Sequence, residues 1–334
     1  MTIILADYDL ADDAETERRI AGPEVSVHVH RQGEPVPPRV REEATALIVF
    51  GSAPPVGFEP GSLPRTRIVV RLGVGYDNLD LAGWAGLGVP VCNVPDYGTS
   101  EVADHAIGLM LALRRGLCAY HGRLQEDLSA WNPGAPPLVR RLRGGTFGVV
   151  GMGRIGIAAA QRARAFGMRI AFHDPFVPSG LEIALDAERH ARLEDLFAAS
   201  DVVSLHVPGG PATAGLVGAA VLASARPGLV LVNTARGSVV DIEALGEAIR
   251  RGSVGGAALD VLPEEPPSGR DGLMAAFRRR EPWLEGRLVL TPHAAFYAPE
   301  SLADLRRKAM ETVLDYLGEG RLRNCVNGVA PAQV

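Results

Sequence analysis

The chain has little with which to build a cross-linked, metal-bound or membrane-embedded protein. Its three cysteines, Cys92, Cys118 and Cys325, are odd in number and far apart in 334 residues. They make no zinc-ligand spacing and no disulfide framework, which suits a reducing cytoplasm. No apolar run reaches the roughly 20 residues that a spanning helix needs. Lysine occurs once, at Lys308, and acids outnumber bases by 39 to 34, for a net charge near −5. That balance provides no basic field for nucleic acid and no polybasic patch for a membrane. The start, Met1-Thr2-Ile3-Ile4-Leu5-Ala6, lacks a basic n-region and is expected to be a first strand, not a signal peptide. What is present, 47% hydrophobic and 22% charged residues, fits a globular protein long enough for two domains.

Short apolar segments at 3–6, 25–30, 46–50, 67–71 and 89–93 alternate with helical stretches, as in a small doubly wound parallel unit. A long helix is expected over 99–131. Thr99 and Ser100 open it, Glu101 sits in its first turn, and Val102, Ala106, Leu109, Leu113 and Leu117 recur at helical spacing. The Pro- and Gly-rich stretch 132–137 stops it. From 143 to about 291 the alternation resumes, with strands at 146–150, 169–173, 202–206, 229–233, 256–260 and 288–291. Six strands match a full dinucleotide-binding sheet. Residues 263–285 read as an irregular Pro- and Arg-rich insertion, and 299–317 as an amphipathic helix returning to the first domain. The expected architecture is α/β, with two doubly wound Rossmann-like domains. A flavodoxin-like substrate domain (1–98 and 295–334) and a dinucleotide domain (99–294) would flank a cleft, and the Ser52-Ala53-Pro54-Pro55 loop would line it.

The most informative stretch is Thr146-Phe-Gly-Val-Val-Gly-Met-Gly-Arg-Ile-Gly156. A strand turns through Gly151-x-Gly153-x-x-Gly156 into an Ala-rich helix. Gly151 permits the tight turn, Gly153 admits a pyrophosphate close to the backbone, and Gly156 lets helix pack on strand. The helix N-terminus then offers free N–H groups to the phosphates. A second apolar run ends at Asp174, placed to accept hydrogen bonds from ribose hydroxyls and to repel a 2′-phosphate. This combination points to NAD.

Hydride transfer to a carbonyl also needs a proton donor, a cation and donors for any substrate carboxylate. Three strand ends could deliver them. Leu231-Val-Asn-Thr-Ala-Arg236-Gly237 presents an arginine whose planar fork can bind a carboxylate and a keto oxygen together. Leu259-Asp260-Val-Leu-Pro-Glu264-Glu265-Pro266 brings carboxylates, and Leu290-Thr-Pro-His293-Ala-Ala295 brings an imidazole. A glutamate beside His293 would fix its tautomer and support its charged form. Of the other histidines, His28, His30, His121, His173 and His190 take structural or solvent-facing roles. His105 is expected to pair with Glu101 on a helix surface, and His206, at a strand end, to touch the cofactor.

Gly73-Val74-Gly75-Tyr76-Asp77-Asn78, the 151–156 turn, Asp174, Asn233–Gly237, Asp260–Pro266 and Thr291–His293 together resemble the D-isomer-specific 2-hydroxyacid dehydrogenase family over nearly the whole chain. The resemblance implies that Arg236 binds and polarises the substrate and that Glu265 pairs with a catalytic His293. It implies further that backbone N–H groups of Val74 and Gly75 bind the carboxylate, and that Asp260 contacts the nicotinamide carboxamide. Thr99, Arg154 and Ile155 would line the cofactor phosphates, with Thr234 and Ala235 also on the cofactor. Within the family the chain is similar to the branch containing the C-terminal-binding proteins, through Val91–Pro95, Thr291–Tyr297 and Arg323–Asn327. It departs from them at Phe296, a substrate-side position where they carry tryptophan. The 99–131 helix resembles a dimer-forming arm, so a homodimer is expected. The implied activity is NAD-dependent interconversion of a 2-keto acid and a D-2-hydroxy acid. The alternatives are an NAD(H)-responsive regulatory protein, or a dehydrogenase whose Arg-rich 278–280 run receives a phosphorylated or phosphonate-bearing acid.

Overall fold

The apolar runs become strands covered on both faces, which is why Ile3-Ile4-Leu5-Ala6 is apolar without alternation. The structure is a computed structural model that describes residues 1–51 and 55–330. It divides the chain into two compact units, residues 1–98 with the tail from Tyr297, and Thr99–Phe296. Ser52, Ala53 and Pro54 of the expected cleft loop lie outside the described residues.

In the first unit, β1 (Thr2–Ala6), β2 (Ser26–Val29), β3 (Ala44–Val49), β4 (Ile68–Arg71) and β5 (Val91–Asn93) form a parallel sheet in the order β2-β1-β3-β4-β5. This is the flavodoxin-like order. Successive side chains of a strand point to opposite faces, so each strand feeds two cores. Ile3, Leu5, Ile48 and Val70 meet Leu305, Met310 and Val313 of the tail helix Pro299–Glu319. Ile4, Leu47 and Val69 meet Trp84 on the other face.

In the second unit, β6 (Thr146–Val150), β7 (Arg169–His173), β8 (Glu188–Arg189), β9 (Val202–Leu205), β10 (Val230–Asn233), β11 (Gly256–Leu259) and β12 (Leu288–Leu290) form a parallel sheet ordered β12-β11-β10-β9-β6-β7-β8. The order reverses between β6 and β9, the switch point outside which such sheets bind ligands. Register decides what gathers there. Val150 pairs with His173 and with Leu205, Asn233 with Leu205 and with Leu259, and Leu259 with Leu290. The strands therefore end level, and residues 151, 174, 206, 234–236, 260 and 291–293 leave along one edge.

Three expectations need correction. The sheet has seven strands rather than six; β8 is two polar residues at an edge and carries no apolar signal. The 99–131 helix is two helices, Thr99–Arg114 and Leu117–Glu126, broken where Gly116 takes a φ of 66°. The stretch 263–285 is not wholly irregular. Asp271 caps a helix, Gly272–Arg278, by accepting from Met274 N, and a 3-10 turn follows at Pro282–Leu284.

Candidate active site

The glycine turn sits at the switch point. Gly151 has a φ of 91°, and a Cβ there would lie 2.6 Å from the His206 carbonyl oxygen at the end of β9. Only glycine fits between the two strand ends. A Cβ on Gly156 would stand 2.1 Å from the Gly151 carbonyl oxygen, so the helix Arg154–Ala165 is seated directly against the turn. At Gly153 a Cβ would find no atom of the described residues within 4 Å beyond its chain neighbours, and Gly153 and Arg154 are exposed. Open space above a helix N-terminus, whose first N–H groups lack intrahelical partners, is where a pyrophosphate fits.

Asp174, partly buried, shapes this turn. Its Oδ2 accepts from Met152 N at 2.8 Å and its Oδ1 from Phe176 N at 2.9 Å. Each carboxylate oxygen keeps lone-pair capacity for a ribose hydroxyl. Burial pushes His206 down to about 4, so its ring, 2.9 Å from Ser204 Oγ, is neutral at ordinary pH. The Thr234 hydroxyl is buried and has no hydrogen-bond partner among the described residues. An orphaned hydroxyl of this kind at the sheet mouth, with the open glycine turn, fits a bound dinucleotide.

Arg236 leaves β10 through a turn that its own motif ties. Asn233 Oδ1 accepts from Ala235 N at 3.0 Å, and Asn233 Nδ2 donates to the Arg236 carbonyl at 2.9 Å. Gly237 then lies flat against the Leu262 backbone, where a Cβ would come within 1.9 Å. The half-buried guanidinium donates to the Ala235 carbonyl at 2.8 Å, and its charge reaches Glu265.

Glu265 and His293 meet. His293 Nδ1 is 2.7 Å from Glu265 Oε2, while Glu265 Oε1 accepts from Leu262 N at 2.9 Å. Burial pushes the Glu265 carboxyl up, but the bonds from His293 and Leu262 and the charges of His293 and Arg236 outweigh it. The net position is below the usual glutamate range. An ionised Glu265 holds the imidazole proton on Nδ1 and leaves Nε2 for another partner. Phe296 stands edge-to-face with the ring at 6.3 Å between centroids.

The loop carrying His293 is strained and braced. His293 has a φ of 52°, uncommon for a residue with a side chain. Asp260 at the end of β11 supplies the brace. Its carbonyl accepts from His293 N at 2.7 Å, and its carboxylate accepts from Thr291 Oγ1 at 2.6 Å, Ala294 N at 2.9 Å and Ala295 N at 3.0 Å. Asp260 is 2% exposed, and its Oδ2, which accepts from Ala295 N, keeps lone-pair capacity for the nicotinamide carboxamide contact that the resemblance implies. His105 departs from its expected surface role. It bonds to Thr291 Oγ1 at 3.0 Å and lies 3.5 Å from Asp260 rather than pairing with Glu101. No local pattern could have exposed this, since 186 residues separate His105 from Thr291.

Other expected residues are placed more simply. Thr99 starts the Thr99–Arg114 helix, and the neighbouring Ser100 hydroxyl lies 3.0 Å from Arg162. Ile155 follows Arg154 in the first turn of its helix. In the first unit, Val74 and Gly75 belong to a turn after β4, where Asn93 Nδ2 donates to the Val74 carbonyl at 2.7 Å. The buried Arg71 underlies that turn and was not picked out as a site residue. In the Arg-rich run, Arg279 pairs with Glu281 at 3.0 Å and Arg280 with Glu126 at 3.4 Å on the surface.

A doubly wound parallel sheet with a glycine turn at its switch point and an acid at the end of the next strand defines a dinucleotide-binding α/β protein. The chain belongs to the D-isomer specific 2-hydroxyacid dehydrogenase family, whose NAD binding domain matches residues 107–295. It is 41% identical over 224 residues to a D-3-phosphoglycerate dehydrogenase of Mycobacterium bovis. That match covers 67% of this chain but only 42% of the relative, so the chain spans about two fifths of the length of the curated relatives it matches. Among solved structures, it resembles an NADPH-dependent glyoxylate/hydroxypyruvate reductase of Sinorhizobium meliloti, solved with NADP and malonate. The TM-score is 0.84 at 30% identity, covering 100% of this chain and 99% of that one. A D-lactate dehydrogenase of Aquifex aeolicus, solved with NAD and lactic acid, gives 0.79 at 25% identity, covering 95% of both chains. These matches identify the family and not a branch within it. Among the described residues, no helix is long and apolar enough to cross a membrane, and no group of metal-ligating side chains gathers.

Proposed function

We propose that the protein is an NAD-dependent oxidoreductase interconverting a small 2-keto acid and the corresponding D-2-hydroxy acid. The observation that carries this reading is the Glu265–His293 pair, 2.7 Å apart on the same sheet edge as Arg236 and the glycine turn. The turn at 151–156, Asp174 and Thr234 would hold the cofactor, which when bound supplies the hydride donor or acceptor. Arg236 binds the substrate carboxylate and draws charge from the keto oxygen. The N–H groups of Val74 and Gly75 are assigned to the same carboxylate. In the reducing direction His293 gives the Nε2 proton to the carbonyl oxygen, and Glu265 opposite Nδ1 stabilises the charged ring until then. Phe296, beside His293, is assigned to the substrate side chain.

The test is a panel of keto acids with NADH, including glyoxylate, pyruvate, hydroxypyruvate and its 3-phosphate, read by loss of the reduced nicotinamide absorbance. At least one acid should be reduced, and His293→Ala should abolish that turnover while NADH binding survives. Binding of NADH without oxidation by any acid would sink the reading. We assign the exposed Leu117, Leu128 and Trp131 to a second copy of the chain, since a lone subunit leaves these large side chains in water. Sedimentation should find a dimer, and Trp131→Glu should weaken it.

A further inference from the structure

The cysteines are scattered along the sequence, but the fold of the first unit sets two of them opposite each other. Cys92 is the middle residue of β5 and fully buried, and Cys325 lies in the tail beyond the last helix and is partly buried. They face across an isolated antiparallel bridge. The surrounding hydrogen bonds identify the type of pair. Asn93 N donates to the Asn324 carbonyl at 3.3 Å and Val326 N donates to the Val91 carbonyl at 2.8 Å. The bonds flank the cysteines rather than joining them, so this is a non-hydrogen-bonded pair. Pairs of that kind hold their Cα atoms about 4.5 Å apart, with side chains closer than elsewhere in a ladder. A disulfide requires a Cα separation of roughly 4.4–6.8 Å. The tail is also held in place. Asn327 Oδ1 accepts from Val91 N at 3.0 Å, Asn327 Nδ2 donates to the Val89 carbonyl at 2.9 Å, and Cys325 Sγ lies 3.2 Å from Asn327 Oδ1.

We propose that Cys92 and Cys325 form a dithiol site that a low-molecular-weight disulfide oxidises to an intramolecular cross-link, clipping the tail to β5. Cys325, the less buried of the two, gives up its proton to solvent and attacks one sulfur of the oxidant as a thiolate. Its S–S bond breaks, one thiolate leaves, and a mixed disulfide remains on Cys325. Cys92 then loses its proton to solvent and attacks the Cys325 sulfur, displacing the second thiolate. Two protein thiols are oxidised by two electrons, and one external disulfide is reduced to two thiols. Burial, with Cys325 alongside, pushes the Cys92 thiol up to about 12. The closing step is therefore slow at neutral pH and should quicken about tenfold per pH unit.

The experiment uses the full chain with the exposed Cys118 replaced, Cys118→Ser, and glutathione disulfide as oxidant between pH 7 and 9. After quenching, unfolding and alkylation, peptide mapping should find residues 92 and 325 joined, neither thiol alkylated, and the link lost with reductant. The oxidised protein should melt at a higher temperature than the reduced one. In Cys325→Ser, Cys92 should remain alkylatable once unfolded and free of glutathione. Full alkylation of both thiols after oxidation, or a mixed disulfide that never closes at any pH, would overturn the proposal. A glutathione adduct on Cys92 in Cys325→Ser would overturn the two-step route.

Discussion

Arg306 in the first unit and His293 in the second each face a glutamate. Arg306 is 9% exposed and bonds through Nε to Glu17, itself 1% exposed, at 2.7 Å, while Asp12 and Tyr8 close the cluster. His293 and Glu265 stand equally close at 2.7 Å but keep 29% and 31% of their side-chain surface. Burial alone would weaken the charge on Arg306, yet its bonds to Glu17 and Asp12 outweigh that and raise its proton affinity. A sealed pair of this kind fastens the tail helix to the Glu15–Ala21 helix, and its guanidinium holds its proton more tightly than a free arginine does. The half-open pair engages only Nδ1 of the ring with Glu265, and the histidine keeps part of its surface in solvent. Two parallel sheets of similar construction thus carry pairs that differ in exposure, and under the proposed function that difference separates a fastening from a site for chemistry.

The largest test of that contrast is Glu265→Gln. Turnover should fall by about 10²–10⁴-fold, the usual scale of general acid–base catalysis, while the thermal midpoint scarcely moves. Unchanged turnover with lost stability would make the pair a fastening after all. Next is Arg306→Met, which strands Glu17 in the core and should cost about 3–5 kcal/mol in urea unfolding. Adding Glu17→Leu should recover most of that loss, because two apolar groups then meet where two charges were. A smaller effect is expected from Thr291→Val. It removes the hydroxyl linking His105 to Asp260 and should cost about 1–3 kcal/mol, with kcat lowered more than NADH affinity. Loss of kcat without loss of stability would show that the brace matters only for holding His293. The smallest effect concerns acid. Burial raises Asp12, but the bonds from Arg306 and Tyr8 outweigh it and leave the carboxyl below its ordinary 3.8. A carboxyl depressed in the folded state adds stability above its unfolded value and loses it as pH falls through the folded one. Melting of the wild-type protein should therefore steepen its decline below about pH 4, and Asp12→Asn should flatten that decline.

Much of both sheets was legible because a strand buried on both faces must be apolar throughout, as β3 and β10 are. The glycine turn was legible because backbone conformation and close approach leave a mark on residue type at Gly151 and Gly156. Asp174, Arg236 and His293 could be named since each follows a recognisable strand. Two kinds of feature stayed hidden. Short polar structure such as β8 has no pattern to read, and Gly116 breaks a helix whose apolar spacing continues through the break. Long-range pairings, His105 with Thr291 and Cys92 with Cys325, depend on which elements become neighbours.

Residue order alone therefore determined the two parallel sheets, the dinucleotide turn and the strand ends from which reactive groups emerge. These follow from local conformational preference and from the periodicity of burial. Packing decided that Asp260 is a brace, that His105 reaches Thr291, that Arg306 is sealed while His293 is not, and that two distant thiols face one another. Each of those depends on distance and solvent access between segments remote in the chain, quantities that no stretch of sequence contains until the sheets have closed around it.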